Sequence, residues 1–146
     1  MAITSAICNS FKQEILEAEH NFTASSGNTF NLALYTSSAT LNKSTTAYSS
    51  SNEISNTSGS AYSAKGKALT SVTPTLDSDT AICDFDNISW TSASFTANGC
   101  LIFNDSHSSD AAVCAIAFGG DKTVTSGTFT IEFPAAAAST AIIQIA

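Results

Sequence analysis

Apolar residues recur along this chain in two rhythms, and the change between them falls near residue 22. Before it, Ile7, Phe11, Ile15 and Ala18 recur at helical spacing and make one apolar face. Lys12, Gln13, Glu14, Glu17 and Glu19 fall on the other side, and Thr4 or Ser5 supplies a capping hydroxyl. The spacing predicts a helix over 5–19, too short to be stable alone. Its apolar face must bury against its own domain or against a neighbour.

After Asn21 the period shortens to two. Phe30, Leu32 and Leu34 alternate with polar or small residues and predict a half-buried strand over 30–36. Residues 37–66 form a long polar stretch in which Tyr48, Ile54 and Tyr62 are isolated apolar points. Loops of that length inside a compact domain are often functional; the alternative is a short edge strand hidden near 45–53.

From Lys67 onward strand-like runs return at intervals of about ten residues. They cover 68–72, 80–85, 88–95, 100–104, 111–118, 128–133 and 141–145, with turn residues between them at Pro74 and Asp77, Asp86-Asn87, Asn98-Gly99, 104–110, Gly119-Gly120-Asp121, Ser126-Gly127 and Pro134. Asn98-Gly99 suits a tight hairpin turn. The expected fold is mainly β: an N-terminal helical arm over 1–22, then an antiparallel β-sandwich or jelly roll of about eight strands over 23–146.

Composition narrows the functional classes. Only 12% of the 146 residues are charged, and Ser and Thr make up roughly three in ten. Hydroxyl-rich surfaces lie against other protein at low desolvation cost. The net charge is −7, with five scattered Lys and no Arg. Nucleic-acid binders need clustered basic residues, so that class is excluded, as are bidentate Arg clamps on phosphate or carboxylate. The N-terminal stretch lacks a basic flank and an unbroken apolar run, so a signal peptide is not expected, and no stretch has the length of a membrane span.

Candidate chemistry is sparse. Cys8, Cys83, Cys100 and Cys114 contain no CxxC pair. Cys83 and Cys114 sit among apolar residues and suit buried small hydrophobes; one or two disulfides are the alternative and need an oxidising compartment. His107 lies in a loop with Ser106, Ser108, Ser109, Asp105 and Asp110, yet neighbours in sequence do not make a Ser-His-Asp triad, and no GxSxG elbow occurs. His20 is expected at the helix end, where a cation favours the dipole. The pairs Asp77/Asp79 and Asp84/Asp86 offer oxygens that calcium takes in loops, but the EF-hand spacing is absent, and a solvated loop is expected at each. No phosphate-cradling loop occurs, and no metal, cofactor or catalytic residue is assigned.

The ordered set of segments carries a resemblance. Ile7-Cys8-Asn9-Ser10-Phe11-Lys12 leads to His20-Asn21-Phe22-Thr23, then to 30–36 and Ala61-Tyr62-Ser63-Ala64-Lys65-Gly66. The second half offers Phe85-Asp86-Asn87-Ile88-Ser89-Trp90, 97–104, Ala117-Phe118-Gly119-Gly120-Asp121-Lys122 and 127–134. Together these resemble a family of small virion structural proteins of tailed phages that infect cyanobacteria and other aquatic bacteria. The segment around Lys65 is less Gly-rich than that pattern.

The resemblance implies a virion component assembled in the host bacterial cytoplasm, without enzymatic activity. The leading expectation is a capsid decoration, or cement, protein held to the major capsid protein, and a homo-oligomer, by analogy a trimer. On that reading Ile7, Phe11, Ile15, Tyr48 and Tyr62 are the candidate interface residues. The alternatives are a tail or fibre component, or a carbohydrate-binding sandwich using Trp90 or loop tyrosines as stacking platforms. Trp90, the lone Trp amid alternating residues, is expected in the core.

Overall fold

The computed structural model describes every residue from Met1 to Ala146. Its elements are β1 (Ala6–Ile7), α1 (Asn9–Leu16), β2 (Phe30–Tyr35), β3 (Lys67–Ala68), β4 (Ser71–Asp77), β5 (Thr80–Phe85), β6 (Ile88–Asn104), β7 (Ala111–Ile131) and β8 (Ile143–Ile145). The fold is mainly β. One antiparallel sheet has the order β1-β7-β6-β2-β3 and a second the order β4-β5-β8. No helix is long and apolar enough to cross a membrane.

The long β6–β7 hairpin is the spine, running from Ile88 opposite Ile131 to Asn104 opposite Ala111. The sequence divides each strand in two, and the structure joins the halves. Asn98-Gly99, expected as a hairpin turn, lies inside β6. A Cβ at Gly99 would sit 2.6 Å from the Ile116 carbonyl and 2.8 Å from the Ile3 side chain, so its glycine serves close packing. Gly119-Gly120-Asp121 is not a chain reversal either. Ala97 pairs with Lys122 and Gly99 with Ala117, so the extra β7 residues bulge out with both glycines at positive φ. The bulge is pinned by Asn98 Nδ2 donating to Asp121 Oδ1 at 2.8 Å.

The helix is shorter than its apolar period suggests. Ala6 and Ile7 pair with Ala115 and Cys114, and the Cys8 amide donates to the Val113 carbonyl at 2.9 Å. Ladder bonding therefore claims the residues expected as the first helical turn, and α1 starts at Asn9 without a side-chain cap. Ala18, at φ 61°, ends the turn after Leu16.

The core lies where the sheets and helix meet. Phe22 stacks on Phe30 with ring centroids 4.2 Å apart, and Phe85 of the small sheet meets Phe22, Phe30 and Phe133. Trp90 is 2% exposed and fully in this core, as its sequence setting predicts. All four cysteines are free and buried. Burial pushes the Cys8 thiol up to about 11 and those of Cys83 and Cys114 up to about 12, and holds Cys100 well above its ordinary value.

Candidate functional site

The polar segment 37–66 leaves β2 and returns to it. Tyr35 bridges to Glu53, the Ile54 amide donates to the Leu34 carbonyl, and Lys67 pairs with Leu32. The edge strand allowed near 45–53 does not form; only single bridges occur, Ala47 to Ala111 and Tyr35 to Glu53. Side chains do the fastening. Glu53 accepts the Tyr48 hydroxyl at 2.6 Å, the Tyr62 hydroxyl at 2.7 Å and the Lys65 amide at 2.8 Å. Tyr62 in turn accepts the Leu34 amide at 2.9 Å, and Tyr35 donates to the Ser49 carbonyl at 2.7 Å. Burial, followed by the hydrogen bond to Glu53, raises both the Tyr48 and the Tyr62 hydroxyl above the usual phenol range.

Lys65 completes the lock. Its ammonium lies 2.9 Å from Asp105 and 2.9 Å from Asp110, on the turn that joins β6 to β7, and 5.8 Å from the centroid of the Tyr48 ring. The two aspartates hold that ammonium above the usual lysine range. The backbone here needs its residue types: Gly66 is at φ +67°, and a Cβ on it would fall 1.8 Å from the Leu32 carbonyl oxygen.

The candidate interface residues are therefore largely spent within the chain. Phe11 is 3% exposed and packs on His20 and Phe22, while Tyr62 is 3% exposed. Ile7, Ile15 and Tyr48 are half-buried against the same core, Tyr48 stacked on Phe103 at 4.8 Å. The expectation that the Ile7/Phe11/Ile15 face awaits another subunit is corrected: the helix lies on its own sheet, and only Leu16, beside that face, is freely exposed. Neither Trp90 nor Tyr62 presents a ring face to solvent for sugar stacking.

The histidines also move from their expected places. His20 is buried rather than at a solvated helix end. Its Nδ1 accepts from Asn104 Nδ2 at 3.1 Å, which leaves the Nε2 proton for Glu14 at 2.7 Å. His107 joins Glu19 at 2.5 Å through Nε2, and both the amide and the hydroxyl of Ser109 donate to its Nδ1, at 3.2 and 2.9 Å. Hydroxyl, imidazole and carboxylate thus line up, with a carboxylate that no local reading supplies, 88 residues away. The serine amide on the same nitrogen makes the contact a closed turn. No three His, Cys, Asp or Glu side chains converge at metal-ligand spacing.

The small sheet carries exposed apolar residues. Leu76 pairs with Ala81, and Ala81 with Ile145, so the three form one row across β4, β5 and β8. Alternation puts Ala81 on the face of Cys83 and Phe85, and Ile145 on that of Ile143. Cys83, Phe85 and Ile143 enter the core, whereas Leu76 is 75% exposed and Ile145 57%. The core-facing side of this sheet thus runs past the core it covers. Sequence reading missed the row because Leu76 and Ile145 come from opposite ends of the β-domain.

No protein-family model matches the chain. Neither a curated protein nor a solved structure matches it.

Proposed function

We propose that this protein is a non-catalytic structural subunit of a bacteriophage virion: a β-sandwich capsid decoration protein that clamps the major capsid protein and works as an oligomer, by analogy a trimer. The observation that carries the reading is the Leu76–Ala81–Ile145 row, exposed at Leu76 and Ile145 and half-buried at Ala81, an apolar strip on a sheet whose β4 and β8 edges are both unpaired. Apolar strips and open edges are what a subunit offers to a neighbour. The hydroxyl-rich, charge-poor surface and the ordered segments that resemble small virion proteins support the same reading. Each buried aliphatic side chain contributes roughly 1.5–3 kcal/mol, and symmetric repetition multiplies a modest contact.

The test is the copy number per purified phage particle, by quantitative mass spectrometry against the major capsid protein. A simple lattice ratio supports decoration. A few copies per hundred capsid subunits moves the protein to the tail or a fibre, and absence from particles removes the virion reading. Leu76→Asp with Ile145→Asp is the matched variant: it should fold as the wild type and leave the particle.

A further inference from the structure

Asp84 lies on β5 opposite Val72 of β4, on the side of the sheet away from the Ala81 row. The residue is 2% exposed. Oδ1 accepts the Phe85 amide at 2.8 Å, whereas Oδ2 is buried with no hydrogen-bond partner. A carboxylate withdrawn from water with one oxygen unused carries a desolvation cost that a matching donor would relieve. Asp84 and Asp86 line a cleft of about 280 Å³, together with Asn87 and the apolar Val72, Phe133 and Pro134.

The lining defines the ligand. The carboxylates reject anions and favour a cation, and the apolar walls favour hydrocarbon. A hard divalent ion takes six or more oxygens. The cleft offers two carboxylates, and Asn87 Oδ1 is already occupied by the Phe133 amide at 2.8 Å. A lysine or arginine side chain has both required parts, an aliphatic stem and a cationic head that donates hydrogen bonds. The chain supplies none nearby in sequence: no Lys or Arg occurs between Lys67 and Lys122, while Asp77 and Asp79 extend the negative charge along the same hairpin.

We propose that this cleft receives the lysine or arginine side chain of a partner protein, its stem against Val72, Phe133 and Pro134 and its head beside Asp84 and Asp86, donating to the unused Asp84 Oδ2 once that carboxyl turns toward the cleft. The identification of that partner as a virion neighbour rests on the assembly reading; the chemistry of the cleft does not.

The experiment is a ¹⁵N NMR titration of the intact protein with n-butylammonium and n-butylguanidinium, with n-butanol as the neutral control and calcium chloride alone as a separate arm. The two cations should shift the Val72, Phe85 and Asn87 amides saturably, with n-butanol weaker by about tenfold or more, the factor that one lost charge-assisted hydrogen bond supplies. Asp84→Asn should weaken the cations by a similar factor and leave n-butanol unchanged. Val72→Arg, which fills the mouth with the chain's own guanidinium, should abolish the shifts and keeps the test decisive if Asp84→Asn fails to fold. Equal binding of n-butanol, or unchanged binding in Val72→Arg, overturns the proposal. So does calcium alone shifting these amides while the organic cations do not. A failed titration leaves the copy number on particles untouched, and a failed copy number leaves the titration untouched.

Discussion

Tyr62 donates its hydroxyl to Glu53 at 2.7 Å, and this pair is the rivet between the long polar segment and β2. Three donors converge on the one carboxylate, those of Tyr48, Tyr62 and the Lys65 amide. Glu53→Ala should therefore orphan them together and cost about 1–3 kcal/mol or more, since unmade buried hydrogen bonds are expensive. Urea unfolding gives the magnitude, and limited proteolysis should show new cleavage confined to 37–66. Wild-type resistance to protease there would contradict the rivet.

Phe11→Asp should destabilise the whole domain rather than release an otherwise intact protein from a partner. The ring is 3% exposed and contacts His20 and Phe22, and truncating such a phenylalanine costs about 3–5 kcal/mol before any penalty for the charge. A variant that melts like the wild type would place the helix outside the core.

Asp84 gives a pH dependence of defined sign. Burial, with the nearby Asp86 charge adding, raises its carboxyl above the ordinary 3.8. The folded state thus favours the protonated form more than the unfolded chain does. This group's contribution is fully present below 3.8 and is lost as pH rises through the higher folded value. Wild-type stability relative to Asp84→Asn should fall as pH rises from about 3 towards neutrality, as read from paired denaturant curves. A flat difference would place Asp84 in water, and a rising one would give its charged form a partner in the fold.

The buried thiols should stay silent to a thiolate-specific reagent. With Cys83 and Cys114 pushed up to about 12, little thiolate forms at neutral pH. Labelling in buffer should run at the rate of unfolding, and all four cysteines should react at once in denaturant. Rapid labelling of one native cysteine would reveal an open path to it.

Much of the β architecture was legible, because alternation reports a face locally. β5 falls at 80–85 in both readings, β2 lies within the run predicted over 30–36, and the ends of β6 and β7, though not their centres, lie on the predicted period-two runs. The boundaries failed where a local signal had two physical meanings. Gly99 and Gly119-Gly120 read as turns, yet one glycine admits a close neighbour and the other two allow a bulge inside a continuing strand. The helix start failed because ladder pairing of Ala6 and Ile7 outcompeted an apolar helical period. The exposed apolar row and the Asp84 cleft were not legible. Leu76 and Ile145 meet through strand order, and Asp84 has the same sequence character as the solvated Asp86 two residues later; only the packed fold distinguishes them.

The pairing of β2 with β6 has a consequence for the rate at which the chain reaches this state. Phe30 is held against Asn104 and Tyr35 against Gly99, so the central ladder of the large sheet joins residues more than sixty positions apart. Little helix is available to form first, and the polar excursion between the partners must be looped out before its own rivets can close. Folds dominated by such distant contacts cross their barrier in roughly milliseconds to seconds, not microseconds. During that interval the β6–β7 hairpin, whose register is local, is the one large piece able to form ahead of the rest. Its β6 edge waits unpaired for β2 to arrive, which makes it the stretch most exposed to self-association in a crowded, newly made population of chains.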